Sequence, residues 1–224
     1  MILPDEDITI LGEVERDIIQ KKNGFRFSID AVILADFFKG KKLGKLLEIG
    51  TGTGIISILL SDREEIEKIT ALEVQAEMAE LAERNVKRNS LEKRIEVVLG
   101  DVKEMKAGNV YDYVISNPPY MPLDGKKINL HDNKALSRHE INLNLEELIK
   151  NAKRLLKPRG QFFMVHRTYR FAEISTVLER EGFSIKRVRF VYSDHKSSSN
   201  LVLIEASKGR KEILEVEKPL YLNN

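Results

Sequence analysis

Leu47-Glu48-Ile49-Gly50-Thr51-Gly52-Thr53-Gly54 is the stretch on which the fold of this 224-residue chain turns. The apolar run 45–49 reads as a strand, and residues 55–61 resume as a helix. Between them, glycines at alternate positions let the backbone turn sharply and come close to a ligand. Their order is G-x-G-x-G with Ile55 next, not the G-x-G-x-x-G of a dinucleotide site, and an acid, Glu48, stands two positions before the first glycine. Downstream, strands at 68–73, 95–99, 111–116 and 161–165 alternate with helices. The helix at 75–89 shows one apolar face through Ala76, Ala79, Ala82 and Val86, that at 145–156 is stopped by Pro158 and Gly160, and that at 169–181 is closed by Gly182. Such alternation predicts an α/β fold, a parallel sheet with helices on both faces. The last two strands, 185–192 and 201–205, have only a loop between them and pair as a hairpin, so one runs antiparallel. Upstream, residues 1–44 form an N-terminal extension to a domain spanning 45–224. It holds short strands at 8–11 and 17–20, a turn at Lys22-Asn23-Gly24, and a helix at 29–38 capped by Ser28 with Asp30 in its first turn.

Three further features carry chemistry. Glu73 ends the second strand of the alternation, 19 residues after Gly54, where a carboxylate can accept hydrogen bonds from both hydroxyls of a ribose. Asp101 follows the third strand and either meets a ligand or caps the next segment. Asn117-Pro118-Pro119-Tyr120 follows Ser116 at the end of the fourth strand, where open sheets bind ligands. Two consecutive prolines donate no backbone hydrogen bonds and fix a rigid stretch. The Asn117 side-chain oxygen and the Pro118 carbonyl can together accept both hydrogens of a planar amino group. Accepting them helps pyramidalise the nitrogen and exposes its lone pair, and Tyr120 offers a flat face to a base or an amide.

These residues resemble the N-P-P-Y branch of class I S-adenosylmethionine-dependent methyltransferases, and Glu48 with Gly50, Gly52 and Gly54 is similar to motif I of that class. The resemblance covers nearly the whole chain. Gln20, the run Asn23-Gly24-Phe25-Arg26-Phe27-Ser28-Ile29-Asp30-Ala31-Val32-Ile33-Leu34-Ala35, and the segments Ala71-Leu72-Glu73-Val74-Gln75 and Glu205-Ala206-Ser207-Lys208-Gly209 look like bacterial tRNA1(Val) adenine-N6-methyltransferases. The resemblance implies a Rossmann-like, seven-stranded, mostly parallel sheet with S-adenosylmethionine as cofactor. It implies methylation of the exocyclic amine of an anticodon-loop adenine in tRNA. Glu48, Gly50, Gly52, Gly54, Glu73 and Asp101 would bind the cofactor, with Phe27 and Asp30 closing over it from the N-terminal segment. Asn117 and Pro118 would position the amine, Pro119 hold the geometry and Tyr120 stack on the base. The tetrad also occurs in DNA adenine methyltransferases and in protein-glutamine methyltransferases acting on release factors, so alone it leaves the substrate open. The protein-directed reading needs an added recognition domain, for which the 44 residues before the alternation look too short. A non-catalytic RNA-binding module, the other alternative, predicts tRNA binding without methyl transfer.

Composition narrows the field. With no cysteine there is no disulfide framework, thiolate zinc site or cysteine nucleophile. His131, His139, His166 and His195 form no H-E-x-x-H pattern, so no metal is expected, and no G-x-S-x-G exists. No apolar run approaches a membrane span, and the acidic start at 1–7 is unlike a signal peptide, so a cytoplasmic protein is expected, as a monomer or weak dimer. The irregular segment 121–143 carries Lys126, Lys127, Lys134 and Arg138. With Arg167, Arg170 and Lys196 these are expected to rim the pocket and hold phosphates. The net charge of +2 hides an asymmetry. Residues 1–120 hold 17 basic and 22 acidic groups, a net of −5, and residues 121–224 hold 20 and 13, a net of +7. A nucleic-acid substrate entering from one side favours that division.

Overall fold

Strands that read as continuous apolar runs need cover on both faces. In the computed structural model, which describes residues 2–11, 16–23, 28–106, 108–120 and 143–223, they have it. Strands β3 (Gly44–Ile49), β4 (Ile66–Glu73), β5 (Ile95–Leu99), β6 (Tyr111–Ser116) and β7 (Leu156–Arg167) run parallel. Strands β8 (Phe183–Tyr192) and β9 (Ser199–Lys208) form the expected hairpin, and β9 is the reversed member because it also lies antiparallel to β7. Their order is β8-β9-β7-β6-β3-β4-β5. The chain moves outward from β3 through β4 and β5, then returns to β3's other side with β6, so the switch point lies between β3 and β6.

Successive side chains leave a strand on opposite faces. Leu46, Tyr113, Ile115, Phe163 and Val165 therefore join one core with helices α1 (Ile29–Phe37), α2 (Ile55–Leu60) and α3 (Ala76–Arg88). Leu47, Val114, Phe162 and Met164 join the other, under α4 (Leu145–Leu155) and α5 (Phe171–Arg180). All nine are buried, each stabilising the fold by about 1.5–3 kcal/mol.

Several expectations are corrected. The sheet has nine strands among the described residues, because the dipeptide strands β10 (Glu215–Val216) and β11 (Leu220–Tyr221) pair in parallel with β8. Buried Arg187 holds this tail segment. It donates to Glu205 Oε2 (2.8 Å), Glu217 Oε1 (2.6 Å) and the Phe37 carbonyl (2.7 Å), with its guanidinium 3.9 Å above the Phe37 ring. A buried guanidinium needs such partners, since removing one strands a charge. Pro158 and Gly160 do not follow the helix as a loop: α4 ends at Leu155 and β7 starts at once, passing both residues through a register shift against β6. Ser28 occupies the N-cap of α1 without a side-chain cap, and its carbonyl accepts from the Ala31 N–H instead (3.1 Å). On α3, Ala79, Ala82 and Val86 are buried as expected, but Ala76 is exposed and Asn85 takes a place on the buried face.

Asn85 explains the N-terminal extension. Strands β1 (Glu6–Leu11) and β2 (Arg16–Lys21) make a two-stranded sheet of their own, docked on α3. The free edge of β2 would leave alternate backbone groups unpaired. Asn85 accepts from the Ile19 N–H (2.7 Å) and donates to its carbonyl (3.1 Å), and Asn89, one turn later, does the same for Asp17 (3.0 and 2.8 Å). Arg84 grips buried Glu6 through both oxygens (2.8 and 2.6 Å), and that hydrogen bonding holds the carboxyl down at about 2.

Candidate active site

The glycine loop, Glu73, Asp101, Asn117 and His166 all stand at the carboxyl edge of the parallel strands, around the switch point. In the loop Gly50, Gly52 and Gly54 adopt φ of +75°, +56° and +83°, left-handed backbone that side chains disfavour. A Cβ on Gly50 would meet nothing within 4 Å, so the space above it is open. The N–H groups of Gly50 and Thr51 both donate to the Leu72 carbonyl (2.9 and 3.0 Å), which ties the loop to β4.

Two carboxylates define this half of the site. Glu48 is buried, and its Oε2 accepts from the Thr51 hydroxyl (2.7 Å), the Ser57 N–H (3.1 Å) and the Ser57 hydroxyl. Its Oε1 is buried and has no partner among the described residues. Burial pushes this acid up to about 7 despite those hydrogen bonds. An orphaned acceptor under an open glycine loop suits a ligand that brings a hydrogen-bond donor or a positive charge. Buried Glu73 accepts from Gly52 (2.9 Å), Val74 (3.0 Å) and Gln75 (3.1 Å) N–H groups, so it braces the loop it was expected to serve. Asp101 caps the 3-10 turn Val102–Glu104 by accepting from the Lys103 N–H (2.9 Å). That leaves it beside Glu73, one strand further out.

The tetrad is anchored from three sides. Ser116 donates its hydroxyl to the Ile49 carbonyl (2.9 Å), which sets Asn117 next to the glycine loop. Tyr120 Oη lies 2.9 Å from Asn117 Oδ1 and 2.8 Å from Asp30 Oδ2 on α1. A phenol has one proton for these two neighbours. Both contacts are hydrogen bonds when the Asn117 amide is turned so that its N–H donates to Tyr120, which donates to Asp30. The Asn117 oxygen then points away from Tyr120, available to another donor. Burial, then the Asp30 charge, raises the Tyr120 pKa well above its ordinary 10, so the phenol keeps its proton. The ring lies 5.1 Å from that of His166, with the Arg167 guanidinium 4.8 Å from its centroid.

The structure thus brings together Glu48, the glycines, Glu73, Asp30 and the tetrad, with Asp101 at the flank. Asp30 meets the tetrad through Tyr120. Arg167 lies against Tyr120, and Arg170 pairs with Glu173 (2.7 Å). Lys196 is exposed in the β8–β9 loop. Phe27, Lys126, Lys127, Lys134 and Arg138 lie outside the described residues. Sequence reading missed His166, whose ring is buried and whose pKa falls to about 4, first through desolvation and then through Arg170. It also missed Asn85, which donates to the Thr53 carbonyl in the glycine loop (2.9 Å); the signal was an Asn pair at helical spacing on an otherwise apolar face. Among the described residues no cluster of His, Cys, Asp and Glu is arranged to hold a metal, and no helix is long and apolar enough to cross a membrane. A hollow of about 490 Å³ lined by Lys41, Leu43, Asp62 and Glu65 lies at the opposite end of β3 and β4, away from this edge.

The chain matches the family model described as methyltransferase small domain over residues 26–194. It is 30% identical over 208 residues to a protein of Dyadobacter fermentans named tRNA1(Val) (adenine(37)-N6)-methyltransferase, covering 91% of this chain and 84% of that one. Among solved structures, a predicted O-methyltransferase from Agrobacterium tumefaciens superposes with a TM-score of 0.67 at 24% identity, covering 86% of this chain and 87% of its own. M. jannaschii TYW2, solved in complex with AdoMet, superposes at 0.62 with 15% identity, covering 92% and 87%. These two likenesses speak for the fold.

Proposed function

This chain belongs to the methyltransferase small domain family, and from that premise we propose that it methylates the exocyclic N6 of an adenine in the anticodon loop of a tRNA. It is an S-adenosylmethionine-dependent enzyme. The observation that carries the reading of the chemistry is the Asn117–Tyr120–Asp30 chain, because it fixes the Asn117 amide at the switch point, and with its N–H turned to Tyr120 its oxygen is left to accept from a substrate amine. An adenine amine presents two hydrogens in one plane. Asn117 Oδ1 and the Pro118 carbonyl are the acceptors for them.

The residues around the glycine loop fit the cofactor. Glu48, with its orphaned Oε1, Gly50, Gly52, Gly54, Glu73 and Asp101 would hold it. S-adenosylmethionine supplies an electrophilic methyl group on a sulfonium. The protein's part is to place the neutral amine in line with that methyl, and positioning of this kind is worth up to about 7–11 kcal/mol of barrier. Accepting both N–H hydrogens pulls the lone pair out of conjugation with the ring. Raised pKa values at Tyr120 and Glu48 keep the tetrad's phenol neutral and let the buried acid titrate near neutrality. Lys196, and Lys126, Lys127 and Arg138 in the segment after the tetrad, would meet phosphates.

A labelled-methyl transfer assay on unmodified tRNA, followed by digestion to nucleosides, tests the reading. Label in N6-methyladenosine is expected. Label in protein alone would move the enzyme to the glutamine-directed class, and no label in either would end the proposal.

A further inference from the structure

The carboxyl edge continues beyond the tetrad. Because β8 and β11 run parallel to β7, the ends of all three, together with the start of β9, emerge beside Asn117's side of the switch point. Aromatic rings gather there. Tyr169, in the turn after β7, is 56% exposed. Exposed His195, in the β8–β9 loop, stacks on Tyr221 with centroids 3.9 Å apart and 34° between planes. Tyr221 is backed by Tyr192 at 5.4 Å and 35°. The stack is held by backbone: Leu222 and Asn223 N–H groups donate to the Tyr192 and Ser193 carbonyls (3.0 and 2.9 Å). Thr168 and Ser199 hydroxyls, 2.8 Å apart, stitch the Tyr169 turn to the start of β9.

We propose that Tyr169 and the His195–Tyr221 stack form a ledge on which bases flanking the target adenine stack, with Lys196 meeting their phosphates. This rests on the reading that the substrate is RNA. His195, exposed and backed by Tyr221, and exposed Tyr169 each offer a flat π-face, and a base can use such a face whatever its sequence. The electrostatics agree. Lys196 is exposed in the β8–β9 loop. The nearby acid, Asp194, caps the loop by accepting from the Lys196 N–H (2.7 Å). The ledge also belongs to the half of the chain with net charge +7. An adenine must leave its stack to reach Asn117, and a ledge beside the pocket would hold the neighbours it leaves.

The test uses the full chain and an RNA hairpin with 2-aminopurine next to the target adenine. Wild-type protein should change the probe's fluorescence on binding. Tyr221→Leu, His195→Ala and Tyr169→Ala should each weaken RNA binding roughly 5- to 100-fold and abolish the change, while leaving cofactor affinity and kcat at saturating RNA unaltered. Tyr221→Phe should behave as wild type. Lys196→Ala should instead lower the salt slope of binding by about one. If Tyr221→Leu does not fold, the loop and turn variants decide. Unchanged RNA affinity in Tyr169→Ala and His195→Ala would overturn the ledge, as would an altered oligomeric state in Tyr221→Leu with RNA affinity unchanged. Wild-type protein that binds the hairpin with the fluorescence change but transfers no methyl to it would sink the catalytic reading and leave the ledge standing.

Discussion

The two sides of the switch point are built in different ways. On the β3-β4-β5 side the site is made of backbone and carboxylates. The glycine loop is tied to Leu72 and Glu73 by main-chain N–H groups, and its geometry follows from one contiguous motif. On the β6-β7-β9-β8 side it is made of side chains reaching across the fold. Tyr120 finds Asp30 90 residues away in sequence, and Arg187 finds Phe37 at a separation of 150. Under the proposed function the first side would bind a cofactor common to many enzymes, and it can be specified locally. The second would have to suit one substrate, and it depends on elements that meet only in the folded protein. Charge divides in the same sense, −5 before residue 121 and +7 from there on.

Breaking the substrate side at its centre should have the largest effect. Asn117→Ala is expected to lower kcat by about 10³-fold, about 4 kcal/mol, because it removes an acceptor aimed at the reacting amine. Cofactor affinity measured by calorimetry should be unchanged. A matching loss of cofactor binding would show that the two sides are one unit.

The next contrast is between their buried titrating groups. Glu48 titrates at about 7 in the folded protein and near 4.5 unfolded, so between those values the folded state binds more protons and stability falls as pH rises. His166 titrates at about 4 folded and near 6.5 unfolded, so across that window the unfolded state binds more and stability rises with pH. Each effect is on the order of 3 kcal/mol, and they oppose. Denaturant unfolding of the wild type should therefore be nearly flat between pH 4.5 and 6.5. Glu48→Gln should uncover a rise with pH and His166→Gln a fall. Parallel curves for all three proteins would refute the pairing.

The smallest expected effect concerns positioning. Tyr120→Phe keeps the ring but breaks the chain from Asn117 to Asp30. It should cut kcat by roughly 10- to 100-fold through a misplaced amide, with KM for cofactor unaltered, and Asp30→Asn should cost less because an amide oxygen can still accept. An unaltered kcat in Tyr120→Phe would reduce that chain to a structural contact.

What could be read from the sequence follows the same division. Strands 95–99 and 111–116 come out with their observed ends. The glycine loop announced its own conformation. The sequence predicts β7 short, since Lys157-Pro158-Arg159-Gly160 has the composition of a turn, and only the pairing of Leu156 and Gln161 with β6 on either side of it reveals a bulged strand. β10 and β11 are too short to have a period. Asp30 was visible as a first-turn acid, but its partner is a phenol from the far half of the chain. Asn85 and Asn89 read as solvent-facing amides until β2 is laid along them and its Ile19 and Asp17 backbone groups pair with them.

Arg187 carries a consequence for how the protein comes into being. α1, which bears Asp30, emerges early from the ribosome, but the guanidinium that clamps its last carbonyl is made 150 residues later. The glutamate that neutralises that guanidinium from the tail follows after a further 30. During synthesis the cofactor loop can therefore take shape while the helix across from it is still unlatched. The far end of α1 therefore gains its clamp only when β8 and the tail are in place.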